Sequence, residues 1–169
     1  KECSPLIMFE LKHGNHINHS LISDFKSLGY DPYYLIPGLD ILAPLDLSAS
    51  ADSYLLNLFC CKPSTASQLE KDGYLVKTTE TLLGKENISH NDFFTKIPAL
   101  KNVETRETSN QEYRQAINSY IGSRDENLTK QERYQHLISA FEIVKKALKQ
   151  GESKIERLST YARIAFDIG

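Results

Sequence analysis

Pro5 opens Leu6–Leu11, a run that is apolar except for Glu10. Such a run suits a strand buried on both faces, as in a parallel sheet. Residues 12–19 are polar and read as a loop. Leu21, Ile22, Phe25 and Leu28 then fall at helical spacing, and Gly29 stands where that helix would stop. Tyr33–Ile36 predicts a second strand, Pro37-Gly38 a turn, and Ile41–Ala43 a short arm folding back. Tyr54–Cys61, apolar except for Asn57, predicts a third strand deep in a sheet. Pro63 opens a short helix through Leu69, which Gly73 ends. The order strand, helix, strand implies a right-handed parallel crossover. The link from the second strand to the third is too short for another helix and implies an antiparallel return. The elements make one end of a mixed sheet, because three strands alone leave a buried-type strand with an open edge.

The second half changes character. Residues 77–108 are polar and irregular and read as a linker. Residues 109–169 then carry three helical stripes. Tyr113, Ala116, Ile117, Tyr120 and Ile121 form the first, ended by Gly122. Tyr134, Leu137, Ile138, Phe141, Val144 and Leu148 form the second, with Leu137 and Phe141 as its expected centre. Ile155, Leu158, Ala162, Ala165 and Phe166 form the third. Each is preceded by a capping box: Ser109 with Glu112, Thr129 with Glu132, Ser153 with Glu156. In such a box the hydroxyl takes the backbone N–H three residues on, and the Glu reaches back to the cap's own N–H. The last two helices, joined around Gly151, should pack as an antiparallel hairpin. The prediction is an α+β chain: a sheet end over 1–76, a linker, and an all-helical part over 109–169.

Composition narrows the function classes. Apolar residues make up 40% and charged residues 25% of 169, as in an ordinary globular protein. Twenty Lys and Arg against 22 Asp and Glu argue against a nucleic-acid binder. No apolar run approaches the ~18 residues of a membrane helix, and no signal peptide is visible. Three cysteines, Cys3, Cys60 and Cys61, make no disulfide framework, so a reducing, cytoplasmic setting is expected. The chain starts at Lys1, has its only Met at position 8, and stops straight after an amphipathic run. That pattern is expected of a fragment of a larger protein.

Candidate chemistry concentrates after the first strand. A buried carboxylate costs several kcal/mol unless it is paired. Glu10 must therefore meet a polar partner, a site, or the open end of the sheet. Ligands of open α/β sheets bind beyond the carboxyl ends of the strands. Glu10, His13, Asn15, His16 and Asn18 all lie at or just past that end of the first strand. The plainer reading is a structural carboxylate beside a local turn. His13, His16 and His19 recur every three residues, and three imidazoles can ligate zinc or iron. Gly14 and Asn15 argue for a loop there, where spacing does not fix geometry, so no metal site is assigned. Cys60-Cys61-Lys62-Pro63 lacks C-x-x-C spacing and reads as small core hydrophobes. There is no P-loop, no G-x-G-x-x-G and no Ser-His-Asp pattern. Tyr113, Tyr120 and Tyr134 occupy stripe positions and read as core.

Ser4-Pro5-Leu6-Ile7-Met8-Phe9-Glu10-Leu11-Lys12-His13-Gly14, then Leu28-Gly29-Tyr30, Leu35-Ile36-Pro37-Gly38-Leu39 and Leu56-Asn57-Leu58-Phe59-Cys60-Cys61-Lys62-Pro63, resemble the closing segment of FkbM-type methyltransferases. The resemblance covers residues 4–76. It implies a Rossmann-like sheet in which Leu6–Leu11 is the fifth strand, Tyr33–Ile36 the sixth and Tyr54–Cys61 the antiparallel seventh. It implies an S-adenosylmethionine-dependent transferase acting on a hydroxyl of a sugar or natural product. Glu10 and His13 would then be catalytic, and Asn15, His16 and Asn18 substrate-binding. The family's glycine-rich cofactor loop, acidic ribose-binding residue and fourth-strand acidic motif have no counterpart in this sequence. The resemblance therefore implies S-adenosylmethionine in a longer parent protein, none bound by this chain alone, and an inactive fragment whose partner is the rest of the domain. The helical part resembles tetratricopeptide-type repeats through one helix pair and Tyr161-Ala162-Arg163-Ile164-Ala165. The alternative is a non-enzymatic helical interaction module that carries a remnant of sheet and binds a protein partner or a second copy.

Overall fold

A computed structural model describes residues 4–13, 16–18, 20–46, 57–76, 111–151 and 154–169. The chain is α+β and divides into two compact units: residues 1–79 with 168–169, and residues 80–167. The expected linker, 77–108, lies outside the described residues, as do the caps Ser109 and Ser153.

The first unit is built on a four-stranded sheet. In chain order its strands are β1 (Ile7–Glu10), β4 (Asp31–Ile36), β5 (Ile41–Pro44) and β6 (Asn57–Cys61). Two two-residue strands, β2 (Lys12–His13) and β3 (His16–Ile17), pair apart from them. Helix α1 (Ser20–Ser27) follows β3, and α2 (Pro63–Lys71) follows β6. The strand order is β1-β6-β4-β5, and every neighbouring pair is antiparallel. Because β6 opposes both β1 and β4, those two run in the same direction, as the strand-helix-strand reading expects. They are not neighbours, however, since β6 lies between them. Among the described residues the four strands pair only antiparallel, the one parallel contact being the isolated Leu42–Leu75 bridge, so the sheet is antiparallel rather than mixed.

Alternation sorts the side chains onto two faces. Phe9 of β1 meets Phe25 of α1 with ring centroids 4.7 Å apart, and Phe25 meets Tyr30 at 6.2 Å. On the other face α2 sets Ala66 and Leu69 against Tyr33, Leu42, Phe59 and Cys61. Gly29 and Gly73 follow the two helices at φ of 80° and 75°, a left-handed conformation that glycine adopts without strain.

Burial corrects the reading of the first strand. Ile7 and Phe9 are half-buried, whereas Leu6 is exposed and Met8 is 64% exposed. β1 is an edge strand, not one buried on both faces. The deep strand is β6, where Leu58, Cys60 and Cys61 are fully buried. The edge at β5 is backed by residues 74–76: Leu42 N–H donates to Tyr74 O at 2.8 Å, and Val76 N–H donates to Leu42 O at 2.9 Å.

The second unit holds α3 (Gln111–Gly122), α4 (Lys130–Lys149) and α5 (Ile155–Ile168). Thr129 caps α4 with a complete capping box to Glu132. α3 and α4 run antiparallel, with Glu112 paired to Lys146 at one end and Gly122 against the His136 ring near the other. This is the principal helix pair, not the expected hairpin of α4 and α5. α5 instead runs alongside α3 in the same direction. Tyr113 shares a 2.9 Å hydrogen bond with Thr160, and Tyr120 donates to Asp167 at 2.6 Å.

Two further expectations are corrected in this unit. Tyr134, Leu137, Ala140 and Val144 form the buried line of α4, while Phe141 is half-buried and stacks on Tyr161 at 5.1 Å. The expected stripe of α5 faces outward: Ile155 is 74% and Phe166 81% exposed. Its inward face is Arg157 and Ile164, with Arg157 over the Tyr113 ring at 5.4 Å.

Candidate functional site

Glu10 closes β1 and stands in register with Asn57, which opens β6. Both are exposed. Directly opposed residues of an antiparallel pair have Cβ atoms about 4.5–5.5 Å apart, so a carboxylate and an amide are neighbours here. Strand alternation puts Met8 and the exposed Leu35 on the same face. α2 covers the other end of that face, where Tyr33 and Cys61 are buried. The result is an uncovered corner of the sheet with two polar groups set among apolar ones. Glu10 is thus not the buried carboxylate that its apolar neighbours implied. Its strand ends at the sheet margin, and its side chain stays in water.

The polar stretch after β1 is not an irregular loop. β2 and β3 form a small hairpin that sets His13 opposite His16 and Lys12 opposite Ile17. Its base is closed by the Asn18 N–H, which donates to Leu11 O at 2.8 Å. Asn18 is exposed, and its Oδ1 accepts from Ser20 Oγ at 2.8 Å at the start of α1. Asn15 and His19 lie outside the described residues. The chain therefore carries Glu10, His13, His16 and Asn18 in one short excursion from the end of β1. Among the described residues no group of three His, Cys, Asp or Glu is placed to hold a metal ion.

Asn57 is the residue that sequence reasoning passed over. It is the single polar position in the third predicted strand, the signal that drew attention to Glu10 in the first. Pairing the two required the register. The hairpin also had a signal, since Gly-Asn between short flanks is a turn dipeptide.

The remaining polar core argues against thiol chemistry. Burial pushes the Cys61 thiol up to about 11 and the Tyr33 hydroxyl up to about 12, and it raises Cys60 as well. All three stay protonated at neutral pH. A nucleophilic cysteine needs the reverse, an electropositive, partly exposed setting.

In the helical unit His136 is buried on α4. Burial lowers its pKa, and the nearby Glu132 opposes that shift. The folded state thus prefers the neutral ring more than the unfolded chain does. His136 should cost no stability above about pH 7. As pH falls through the unfolded value near 6.5, the unfolded chain gains the proton first and stability drops. The drop levels off below the folded value. Denaturant midpoints measured across this range should fall with acid in the native chain, and less so in His136→Leu.

Comparison with known proteins gives no matching family model, no similar curated protein and no similar solved structure. Among the described residues no helix is long and apolar enough to cross a membrane.

Proposed function

We propose that the sheet unit is the closing segment of an S-adenosylmethionine-dependent methyltransferase of FkbM type, and that the uncovered corner at Glu10 and Asn57 faces the acceptor hydroxyl of a sugar or natural product. The observation that carries this reading is strand direction. β1 and β4 run the same way and β6 opposes both, as the resemblance requires of its fifth, sixth and seventh strands. The exposed Met8 on the edge strand β1, and the exposed Leu6 just before it, also support it. Apolar side chains on an open edge are what further strands of a larger sheet would cover.

In this reading Glu10 accepts a hydrogen bond from the acceptor hydroxyl and takes its proton, the ordinary work of a positioned carboxylate. Asn57 orients the same group, and the β2–β3 hairpin that carries His13 and His16 follows directly after Glu10 and Leu11. Among the described residues none is placed to cradle the cofactor. Gly29, Gly73 and Gly151 each follow a helix rather than lead from a strand into one, so none forms a cradle for ribose and methionine. Cofactor binding belongs to the longer parent protein, and this chain supplies the acceptor side.

Calorimetry with S-adenosylhomocysteine tests the reading on this chain and on the longer protein that contains it. Binding is expected only in the longer protein. There, Glu10→Gln should lower turnover while leaving cofactor affinity nearly unchanged. Micromolar binding to this chain alone, or none to the longer protein, would overturn the proposal.

The second reading, a helical interaction module, rests on a separate observation. α5 returns alongside α3 in the same direction after the antiparallel α3–α4 pair. That is the succession a stack of helix pairs produces.

A further inference from the structure

α5 is apolar on two sides, and a helix of that kind is normally covered on both. Its inner side meets α3 and α4 through Tyr161, Ile164 and Arg157. Its outer side carries Ile155, Leu158, Ala162 and Phe166, spaced three, four and four residues apart, and all four are exposed. At about 100° per residue these lie on one stripe. Glu156 and Arg163, both exposed, lie together along one flank of it.

We propose that this face of α5 docks against the same face of a second copy, with the two helices antiparallel about a two-fold axis near Thr160. That arrangement is isologous, so each contact occurs twice. Ile155 meets the second copy's Phe166, and Leu158 meets the smaller Ala162, which leaves room for it. In antiparallel helix pairs a flank faces its own counterpart. Glu156 therefore meets Arg163 at both ends. A parallel pair would set Ala162 against Ala162 and Phe166 against Phe166, a gap beside a crowded contact, so side-chain size selects the antiparallel form. Hydrophobic spacing, complementary size and complementary charge thus agree on one axis position.

The face is a single short helix, smaller than the ~800 Å² per partner of a standard interface, so the dimer is weak. Sedimentation equilibrium of the whole chain, from about 5 to about 500 µM, should show a monomer–dimer equilibrium, the range suiting an interface of that size. Phe166→Glu should abolish the dimer with an unchanged helical spectrum and melting curve, because this side chain is 81% exposed. Glu156→Arg alone should weaken association about tenfold, the scale of two exposed ion pairs lost and replaced by repulsion. Adding Arg163→Glu should restore it. A monomer at every concentration overturns the proposal, whether the face is bare, covered by the chain itself or kept for another protein. So does a dimer indifferent to Phe166→Glu and to the charge exchange.

Discussion

Leu137→Ala should remove about 2–5 kcal/mol from the helical unit, the range for a large-to-small change in a packed core. Leu137 is 1% exposed and lies mid-way along the buried line of α4, between Tyr134 and Ala140. Val144 beyond it is buried too, so the space left by the side chain stays lined by packed groups on α4. Phe141→Ala should cost less, about 1–2 kcal/mol: its ring is half-buried, and what is lost is mainly the stack on Tyr161. Phe166→Ala at low protein concentration should fall within about 0.5 kcal/mol of the native chain. Denaturant melts followed by helical signal rank the three. If Phe141→Ala cost as much as Leu137→Ala, the inward face of α4 would be centred one position away from where the structure has it.

That ordering shows where hydrophobic periodicity was sufficient and where it was not. In α4 the stripe Tyr134, Leu137 and Val144 is the buried one, with the small Ala140 and Ala147 buried beside it. In α5 the same reasoning chose the wrong face. Its inward side is fastened by groups that no apolar pattern counts: Thr160 to Tyr113, Asp167 to Tyr120 and Arg124, and Arg157 over Tyr113. An arginine laying its guanidinium on a ring buries as well as a leucine does, yet in sequence it looks like solvent. The capping box at Thr129, by contrast, was legible because both its groups lie within four residues.

In the candidate site the residue types were legible and their relations were not. Glu10 marked the end of β1. Its partner, Asn57, lies forty-seven positions away, and only the β1–β6 register joins them. His13 and His16 looked like members of a three-residue series, whereas the backbone makes them cross-strand partners. Register is a tertiary property, set by which strands meet, and spacing along one segment does not contain it.

The sheet offers the sharpest contrast of this kind. Leu58→Ala should cost about 2–5 kcal/mol, whereas Met8→Ala should change stability by less than about 0.5 kcal/mol. Both residues come from runs of four or more apolar positions, and by sequence both runs read as deep strands. β6, however, pairs on both sides, with β1 and with β4, and Leu58 is fully buried. Among the described residues β1 pairs on one side only, and Met8 is 64% exposed. Truncating Leu58 leaves a void on a buried face of a strand whose backbone is held on both sides, so the strand cannot shift freely to fill it. Truncating Met8 removes a side chain that already faces water. Chemical melts of the two variants, read by a sheet signal, measure the difference directly. The proposed function sharpens it further. If β1 is an inner strand of a larger sheet in the parent protein, Met8→Ala should become costly there, while Leu58→Ala should cost about the same in both settings. A Met8→Ala penalty that stayed small in the longer protein would mean that no further layer covers β1, and the methyltransferase reading would lose its structural support.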